Sequence, residues 1–472
     1  MEGEVVKKNR ITEGSIFGQL LLFFFPILFG TFFQQLYNTA DAMVVGRFVG
    51  KQALAAVGGS TSTLINLLVG FFVGLSSGAT VVISQFYGAR KADKVHWAVH
   101  TSIAFSIIGG IAFMIIGLAG SPWALEAMKT PEDVMGHSVV YIRIYFLGII
   151  VNLIYNMGAG ILRAVGDSRR PLYFLIASCF TNIALDILLV AVLGMGVAGA
   201  AIATISSQLL SAILVVRALM KTDDMYKLEW NKVRIDRRML QRIVRIGIPA
   251  GMQSVMYNIS NVIIQAGVNT LGTDNVTAWA TYGKVDGLYW MMINALGISV
   301  TTFVGQNYGA GRMDRVRKGA GACMMIGVVL TASVGVLLYN GGYLLVELFT
   351  TDQQVQAISM DLLHFMVPTF ITYIAIEILS GTLRGVGDAW VPLVLTGIGV
   401  CAVRVLWIMF VLPKYHTIIG AAFCYPLTWS LTTIAFVIYY YFFSSLRRWE
   451  IKPLFKKEPV CIGVPDLGKL SV

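Results

Sequence analysis

The sequence predicts an all-α polytopic membrane protein, with twelve transmembrane helices arranged as two six-helix parallel repeats around a central cleft. Three observations predict it. Of 472 residues, 56% are hydrophobic and 13% charged, with mean hydropathy +0.73, whereas a soluble domain carries about 25% charged residues. Twelve apolar stretches recur along the chain, and each can supply the roughly 20 residues that a helix needs to cross a bilayer. The chain also repeats itself. Residues 160–172, Gly-Ile-Leu-Arg-Ala-Val-Gly-Asp-Ser-Arg-Arg-Pro-Leu, return 221 residues later as 381–393, Gly-Thr-Leu-Arg-Gly-Val-Gly-Asp-Ala-Trp-Val-Pro-Leu, identical at eight of thirteen positions. At the same offset, Gln85-Phe-Tyr-Gly-Ala-Arg-Lys-Ala-Asp93 matches Gln306-Asn-Tyr-Gly-Ala-Gly-Arg-Met-Asp314. Two matches at one offset indicate a duplicated half, an arrangement that membrane transporters use.

In order, the twelve segments are 16–45, 53–86, 97–120, 137–162, 171–193, 196–219, 241–271, 277–306, 319–340, 358–384, 391–413 and 418–443. They are rich in Gly and lack strand-like alternation, so they read as helices rather than a barrel. The apolar run after Lys7, Lys8 and Arg10 is too long for a signal-peptide core, so the first segment is expected to remain as a helix. Six helices in each half return the chain to its starting side. The halves (1–220 and 241–443, joined by a basic linker 221–240 and followed by a tail 444–472) are therefore expected to share one orientation about an axis along the membrane normal. Weaker matches extend the repeat. Phe25-Pro26 answers Ile248-Pro249, and Tyr37-Asn-Thr-Ala-Asp41 answers Tyr257-Asn-Ile-Ser-Asn261.

The net charge of +11 is distributed by side. With an inside N-terminus, 29 of 36 Lys and Arg fall in the tails, the even-numbered loops or the adjoining helix ends. Arg47, Lys51, Lys129 and Lys414 fall on the other side, and Arg143, Lys284 and Arg404 within segments. This is positive-inside bias. It predicts cytoplasmic termini in a bacterial inner membrane and contact with anionic lipid, not nucleic-acid binding. The densest basic run, Lys221 to Arg245, reads as a plain tether between halves. Four of five cysteines (Cys179, Cys323, Cys401, Cys424) lie in segments and Cys461 in the tail, without metal-ligand spacing, so they read as packing residues without disulfides. No phosphate-binding Gly-Lys-Ser/Thr loop is present, which argues against ATP hydrolysis. His96 and His100, one turn apart beside a basic loop, read as solvated or interfacial. His137, His364 and His416 have no triad-like neighbours.

The repeated Arg-x-Val-Gly-Asp-x-x-x-Pro has a structural explanation. Gly166 and Gly387 permit a left-handed turn, Asp167 and Asp388 cap the next helix, Pro171 and Pro392 fit its first turn, and Arg163 and Arg384 favour a helix C-terminus. The chemistry is expected elsewhere, at ionisable residues deep in the segments. A charge near the bilayer centre costs at least about 2.5–3.5 kcal/mol, so such residues are proton or cation sites by default. Asp41 and Asp186 are the favoured pair. Asp41 follows Tyr37 on its helix, and Asp186 follows Asn182 by four residues, on one face. Asp41 has a competing reading as an exposed residue at the outer helix end. Pro26 is expected to bend the first helix and free backbone carbonyls. In the second half, Lys284, Asp286, Glu377 and Arg404 form a candidate polar site, functional or structural. Lys284 and Asp286, two apart, do not share a face. Tyr289-Trp-Met-Met292 is a weaker candidate for lining the cleft. Tyr439 to Phe443 and Trp449 read as interfacial anchors.

Taken together, the six-plus-six layout, Pro26 followed by Asp41, Gly46 and Arg47, the Gln-x-Tyr-Gly-Ala loops and the Arg-x-Val-Gly-Asp motifs resemble the multidrug and toxic compound extrusion (MATE) transporters over nearly the full chain. The resemblance implies efflux of organic cations and lipophilic drugs against inward H+ or Na+; the sequence itself gives no reason for oligomerisation, so a monomer is expected, and no cofactor. It carries the family's first-half cation site onto Asp41, Asn182 and Asp186, with Tyr141, Asn156 and Thr204 in support and Na+ as a candidate ion at Asp41 and Asp186. The helix 7 glutamate of the NorM-like branch falls on Tyr257, so the pattern is closer to the DinF-like branch, and Glu377 stands near the NorM-like helix 10 acid. Two alternatives remain at this stage. One is a lipid-linked oligosaccharide flippase of related architecture, expected to have a cationic cleft. The other is an intramembrane enzyme, for which no convergent nucleophile and base are visible.

Overall fold

A computed structural model describes residues 10–444 and 446. The tail beyond, with Trp449 and Cys461, and Lys7 and Lys8 at the start lie outside the described residues. Among those described, twelve long helical segments follow a short turn at Arg10–Glu13. They are α1 (Ile16–Phe48), α2 (Lys51–Gly88), α3 (Ala92–Ala127), α4 (Glu132–Leu147 with Ile149–Ala164), α5 (Arg169–Val192) and α6 (Gly196–Met220), then α7 (Arg237–Asn269), α8 (Thr273–Gly309), α9 (Met313–Glu347), α10 (Gln353–Val386), α11 (Trp390–Phe410) and α12 (Ile418–Phe443). Ten are long and apolar enough to cross a bilayer, and α4, bent by 51° at Gly148, makes eleven. The remaining one, α7, has 33 residues but carries Arg237, Arg238, Arg242 and Arg245 at its start and Gln253, Ser254, Asn258, Asn261 and Gln265 beyond. Those later polar residues face the interior cavity rather than lipid. Large apolar side chains such as Phe29, Ile116, Leu337 and Leu344 cover the outside, as a lipid-facing surface requires.

The two lobes break their helices at equivalent places. The α4 bend at Gly148 corresponds to a 3-10 stretch at Val367–Thr372 in α10, which contains Pro368. Such irregular turns inside a long helix mark hinges or strained sites. Pro26 behaves otherwise, because α1 runs unbroken through it. Proline still removes one backbone donor there, leaving a carbonyl one turn back without its helical partner. Asp186 closes the α-helical part of α5, and a π-helical stretch, Ile187–Val192, follows at once.

Each lobe begins inside the other. Leu20, Phe23, Phe24 and Ile27 of α1 pack into the second lobe's core, and Met239, Ile243 and Ile246 of α7 pack into the first lobe's. Where the lobes meet, Ser84 faces its own repeat equivalent, Gly305, and a side chain begun at Gly305 would put its Cβ 3.2 Å from that of Ser84. A two-fold axis requires such self-pairing. Cβ atoms at Gly88 or Gly309 would overlap the carbonyls of Gln306 and Gln85 respectively, and Gly74 and Gly78 sit directly on the backbone of Gly251 and Gly247. Glycine is required at this seam because backbones touch there.

The linker is docked rather than loose. Tyr226 and Leu228 are buried, Tyr87 donates to Asp224 at 3.2 Å, Arg170 donates to Tyr226 at 2.9 Å, and Arg234 lies over the Trp97 ring. His100 is fully buried against it and not solvated. Its Nδ1 is 2.7 Å from the His96 carbonyl, and the Glu229 backbone N–H donates to its Nε2 at 3.0 Å. Nε2 also lies 3.1 Å from the Glu229 carbonyl, so both backbone polar groups of Glu229 face the ring. At the linker surface, a hydrogen bond from Lys232 holds the Glu229 carboxyl below its ordinary range.

Candidate functional site

Two polar regions lie within the membrane-spanning helices. The first is enclosed in the first lobe. α1 packs on α5, α5 on α6, and α6 on α4, and these helices bring Tyr37, Asp41, Tyr141, Asn182, Asp186 and Thr204 into one buried group. Asp41 is only 6% exposed, so it is not the water-exposed helix end of its competing reading. Asp186 lies close enough to feel the Asp41 charge. Tyr141 is in polar contact with Thr204 and near Asp41, while Tyr37 contacts Gln208 and Gln34. Gln208, one turn beyond Thr204 on α6, was not singled out from the sequence, although the four-residue spacing carried that signal. Asn156 is tied elsewhere, because its amide donates to the carbonyl and side chain of Asn152, both at 2.9 Å.

This group holds unanswered polar atoms. Both carboxylate oxygens of Asp186, both amide atoms of Asn182 and Oδ1 of Asp41 are buried without a hydrogen-bond partner. Buried carboxylates are costly unless paired, protonated or bound to a cation. Two carboxylates and an amide oxygen are hard donors, suited to a proton or an alkali cation rather than a soft metal. Among the described residues, no cluster of three His, Cys, Asp or Glu is placed to hold a metal ion.

The second region is a cavity of about 760 Å³ between the lobes, set mainly against the second. Its wall includes α2 residues from Asn66 to Thr80, the polar face of α7, and Trp279, Tyr282, Trp290, Tyr373 and Tyr425. Asp41 and Asp186 do not line it. Three of the four second-half candidates do: Asp286, Glu377 and Arg404. Lys284 does not; it is exposed and rests over the Phe349 ring at 4.9 Å, because two residues of helix rotate it away from Asp286. The three that remain are not paired with each other. Trp290 Nε1 donates to Asp286 Oδ2 at 2.6 Å, Arg404 stacks on Tyr425 at 4.0 Å and donates to Thr428, and Glu377 pairs with Arg384 at 3.4 Å. Of the Tyr289–Met292 run, Trp290 reaches the cavity, while Tyr289 and Met292 are core residues.

The repeated motif contributes more than turns. Gly166 and Gly387 adopt φ of +93° and +96°, the left-handed region where glycine is favoured. Asp167 accepts from the N–H groups of Arg169 and Arg170, both at 3.1 Å, whereas Asp388 accepts from the Tyr439 hydroxyl. Arg163 and Arg384, read from the sequence as helix-end residues, both line the cavity. Gln85 and Gln306, from the other repeated motif, reach across the seam to the same two helix ends. Gln85 donates to the Gly385 carbonyl at 2.8 Å, and Gln306 to the equivalent Ala164 carbonyl at 2.7 Å.

Comparison with known proteins agrees with this architecture. The chain is 29% identical to the probable multidrug resistance protein YoeA of Bacillus subtilis, over 93% of this chain and 96% of that one. It is 28% identical to the probable multidrug resistance protein YpnP of the same organism, over 84% and 89%. A solved multidrug resistance MATE family transporter of the MOP superfamily, in an outward-facing conformation, superposes with a TM-score of 0.86 at 21% identity, covering 93% of this chain and 98% of that chain. The MatE family profile matches residues 26–188 and again 249–409, once in each lobe, and with this match the chain belongs to the MatE, or multidrug and toxic compound extrusion, family of multi-pass membrane transporters.

Proposed function

We propose that this protein exports organic cations and lipophilic drugs in exchange for H+ or Na+, with Asp41 and Asp186 as the ion-binding groups. The carrying observation is the set of unpartnered atoms on Asp41, Asn182 and Asp186, buried inside membrane-spanning helices. A proton or Na+ arriving there answers the carboxylates and changes the hydrogen bonding between α1 and α5. The names of the relatives, multidrug resistance proteins, support drug-like cargo. The basic bias of one face supports a bacterial inner-membrane location with both termini in the cytoplasm. Coupling needs the ion and cargo to prefer different states of the two lobes, because a ligand with equal affinity for both shifts nothing. The cavity mixes arginines with acids and aromatics, which suits small amphiphiles better than the uniformly cationic cleft of a pyrophosphate flippase.

The test is ethidium efflux from proteoliposomes, with pH and Na+ gradients imposed separately. One gradient is expected to drive efflux, and Asp41→Asn and Asp186→Asn to reduce the driven component at least about tenfold, as removal of a charge-assisted ion contact of 1.5–3 kcal/mol implies. Full gradient-driven efflux by Asp41→Asn at normal expression would falsify the assignment.

A further inference from the structure

The first turns of α7 are basic, and their charge gathers on one side. Arg238, Gln241, Arg242 and Arg245 recur at steps of three and four residues, which stacks them along one helix face. They line a second, shallow cavity of about 280 Å³ at the end that bears the basic loops. No Asp or Glu occurs within α7, and Asp236 just before it is engaged as a cap, accepting from the Met239 N–H at 2.9 Å. Among the described residues, Arg238 and Arg245 have no carboxylate within ion-pair distance. Arg242 lies over the Phe86 ring at 5.4 Å and Lys94 of α3 over the same ring at 5.9 Å, so a further cation stands beside the groove. The same side of α7 continues as an apolar stripe. Met252 and Ile259 follow Arg245 at steps of seven residues, about two turns and 10 Å each. They are 42% and 47% exposed, and neither lines the cavity between the lobes, so they face outward. α11 packs alongside. A Cβ at Gly387 would lie 3.8 Å from Ile246, and one at Gly397 would lie 2.6 Å from the Met256 methyl, so the two helices run in the same direction. That register puts Trp390 about one turn deeper than Arg245, and Trp390, Val394 and Ile398 are all exposed along α11. A basic groove, an indole just below it and outward apolar side chains beyond follow the order of headgroup, interface and acyl chain in a phospholipid.

We propose that this groove between α7 and α11 is a binding site for one anionic phospholipid, its phosphate held by Arg238 and Arg245 with Arg242 beside them, and its acyl chains laid along Met252, Ile259 and Val394. A guanidinium offers a phosphate two parallel hydrogen bonds. A zwitterionic lipid brings a cation of its own into the same groove, where three arginines repel it. General attraction of a basic face to acidic lipid would need no groove and would not distinguish one arginine from another, whereas here three guanidinium groups share one concavity. The proposal depends neither on what the protein exports nor on the ion it couples, so it stands or falls separately from the export reading.

The test is native mass spectrometry of the purified full-length protein, delipidated in mild detergent and titrated with phosphatidylglycerol or with phosphatidylcholine of the same acyl chains. The unsubstituted protein is expected to hold its first phosphatidylglycerol at least about tenfold more tightly than phosphatidylcholine, because each arginine at the surface adds to the attraction. Arg238→Gln combined with Arg245→Gln is expected to remove that preference. Arg169→Gln combined with Lys318→Gln removes the same charge from exposed positions at the same end of the molecule, and is expected to leave the preference intact. The readout is a ratio of two affinities on one preparation, so loss of folded protein does not mimic it. No preference in the unsubstituted protein, or a preference that survives in the Arg238 and Arg245 variant, overturns the proposal. So does an equal loss in the control variant, which would mean diffuse surface charge without a site. Displacement of the lipid by an equal concentration of glycerol phosphate would overturn it as well, because the groove would then be holding a free phosphate and the apolar stripes would contribute nothing.

Discussion

Gln85 and Gln306 each hydrogen-bond to a carbonyl in the opposite lobe, at the last turn of the helix that carries the cavity arginine. Both side chains are buried, so each bond is made in a water-poor site where an unanswered carbonyl costs about 1–3 kcal/mol. The bonds exist only while the lobes are together at the end that bears the basic loops. Gln85→Leu and Gln306→Leu keep the bulk and remove the donor, so each is expected to weaken that closed arrangement by about 1–3 kcal/mol. Spin labels at the exposed positions Ala92 and Arg312, one on each lobe, should show a larger population of long distances. Distance distributions identical to the unsubstituted protein would mean that the bonds form without holding anything. The same pair shows how a motif divides its labour: glycines permit the contact, glutamines fasten it, and the arginines beyond face the cavity.

At the scale of elements, the linker between the lobes is a docked segment of the first lobe. His100 on α3 holds it through the Glu229 backbone, 129 residues away in sequence. His100→Ala removes the ring that faces both the N–H and the carbonyl of Glu229 in a part-buried contact, at an expected cost of about 1–3 kcal/mol. Trypsin should then cut the basic stretch between Lys221 and Arg245 faster than in the unsubstituted protein, and an unchanged digestion rate would show that other contacts suffice. The misreading of this histidine marks what the sequence could carry. The long helices were legible because apolar runs of membrane length are rare elsewhere, and Asp41 and Asp186 were legible because acids are expensive within such runs. His100 and the linker were not, because two basic-loop neighbours look solvated until a distant segment covers them. Arg163 and Arg384 were hidden differently. A basic residue at a helix C-terminus satisfies the dipole whether or not it also faces a cavity, so a sufficient local reason concealed a tertiary one. Lys284 and Asp286 were separable in advance from helix geometry alone, but their actual partners, Phe349 for Lys284 and Trp290 for Asp286, come from packing.

At the scale of the whole molecule, a pseudo-two-fold axis passes between Ser84 and Gly305, and each lobe starts with a helix embedded in the other's core. That embedding limits how the halves can move. α1 and α7 cross the boundary at the end with the basic loops, so opening that end requires Gly74 and Gly78 to leave Gly251 and Gly247, and the two glutamine bonds to break together. Alternating access by rocking of the two lobes therefore makes a definite demand on the Ser84–Gly305 contact. It must separate once per cycle. Cysteines at these two positions would have Cβ atoms 3.2 Å apart, just under the ordinary range for a disulfide and within reach of a small backbone shift. Ser84→Cys with Gly305→Cys, oxidised by copper phenanthroline, is expected to stop substrate efflux from proteoliposomes, and dithiothreitol to restore it. Each protein carrying only one of the two substitutions, with the native cysteines unchanged, should keep its rate under the same oxidant. Efflux that continues with the cross-link complete by gel shift would place the moving boundary elsewhere, within a lobe rather than between the two.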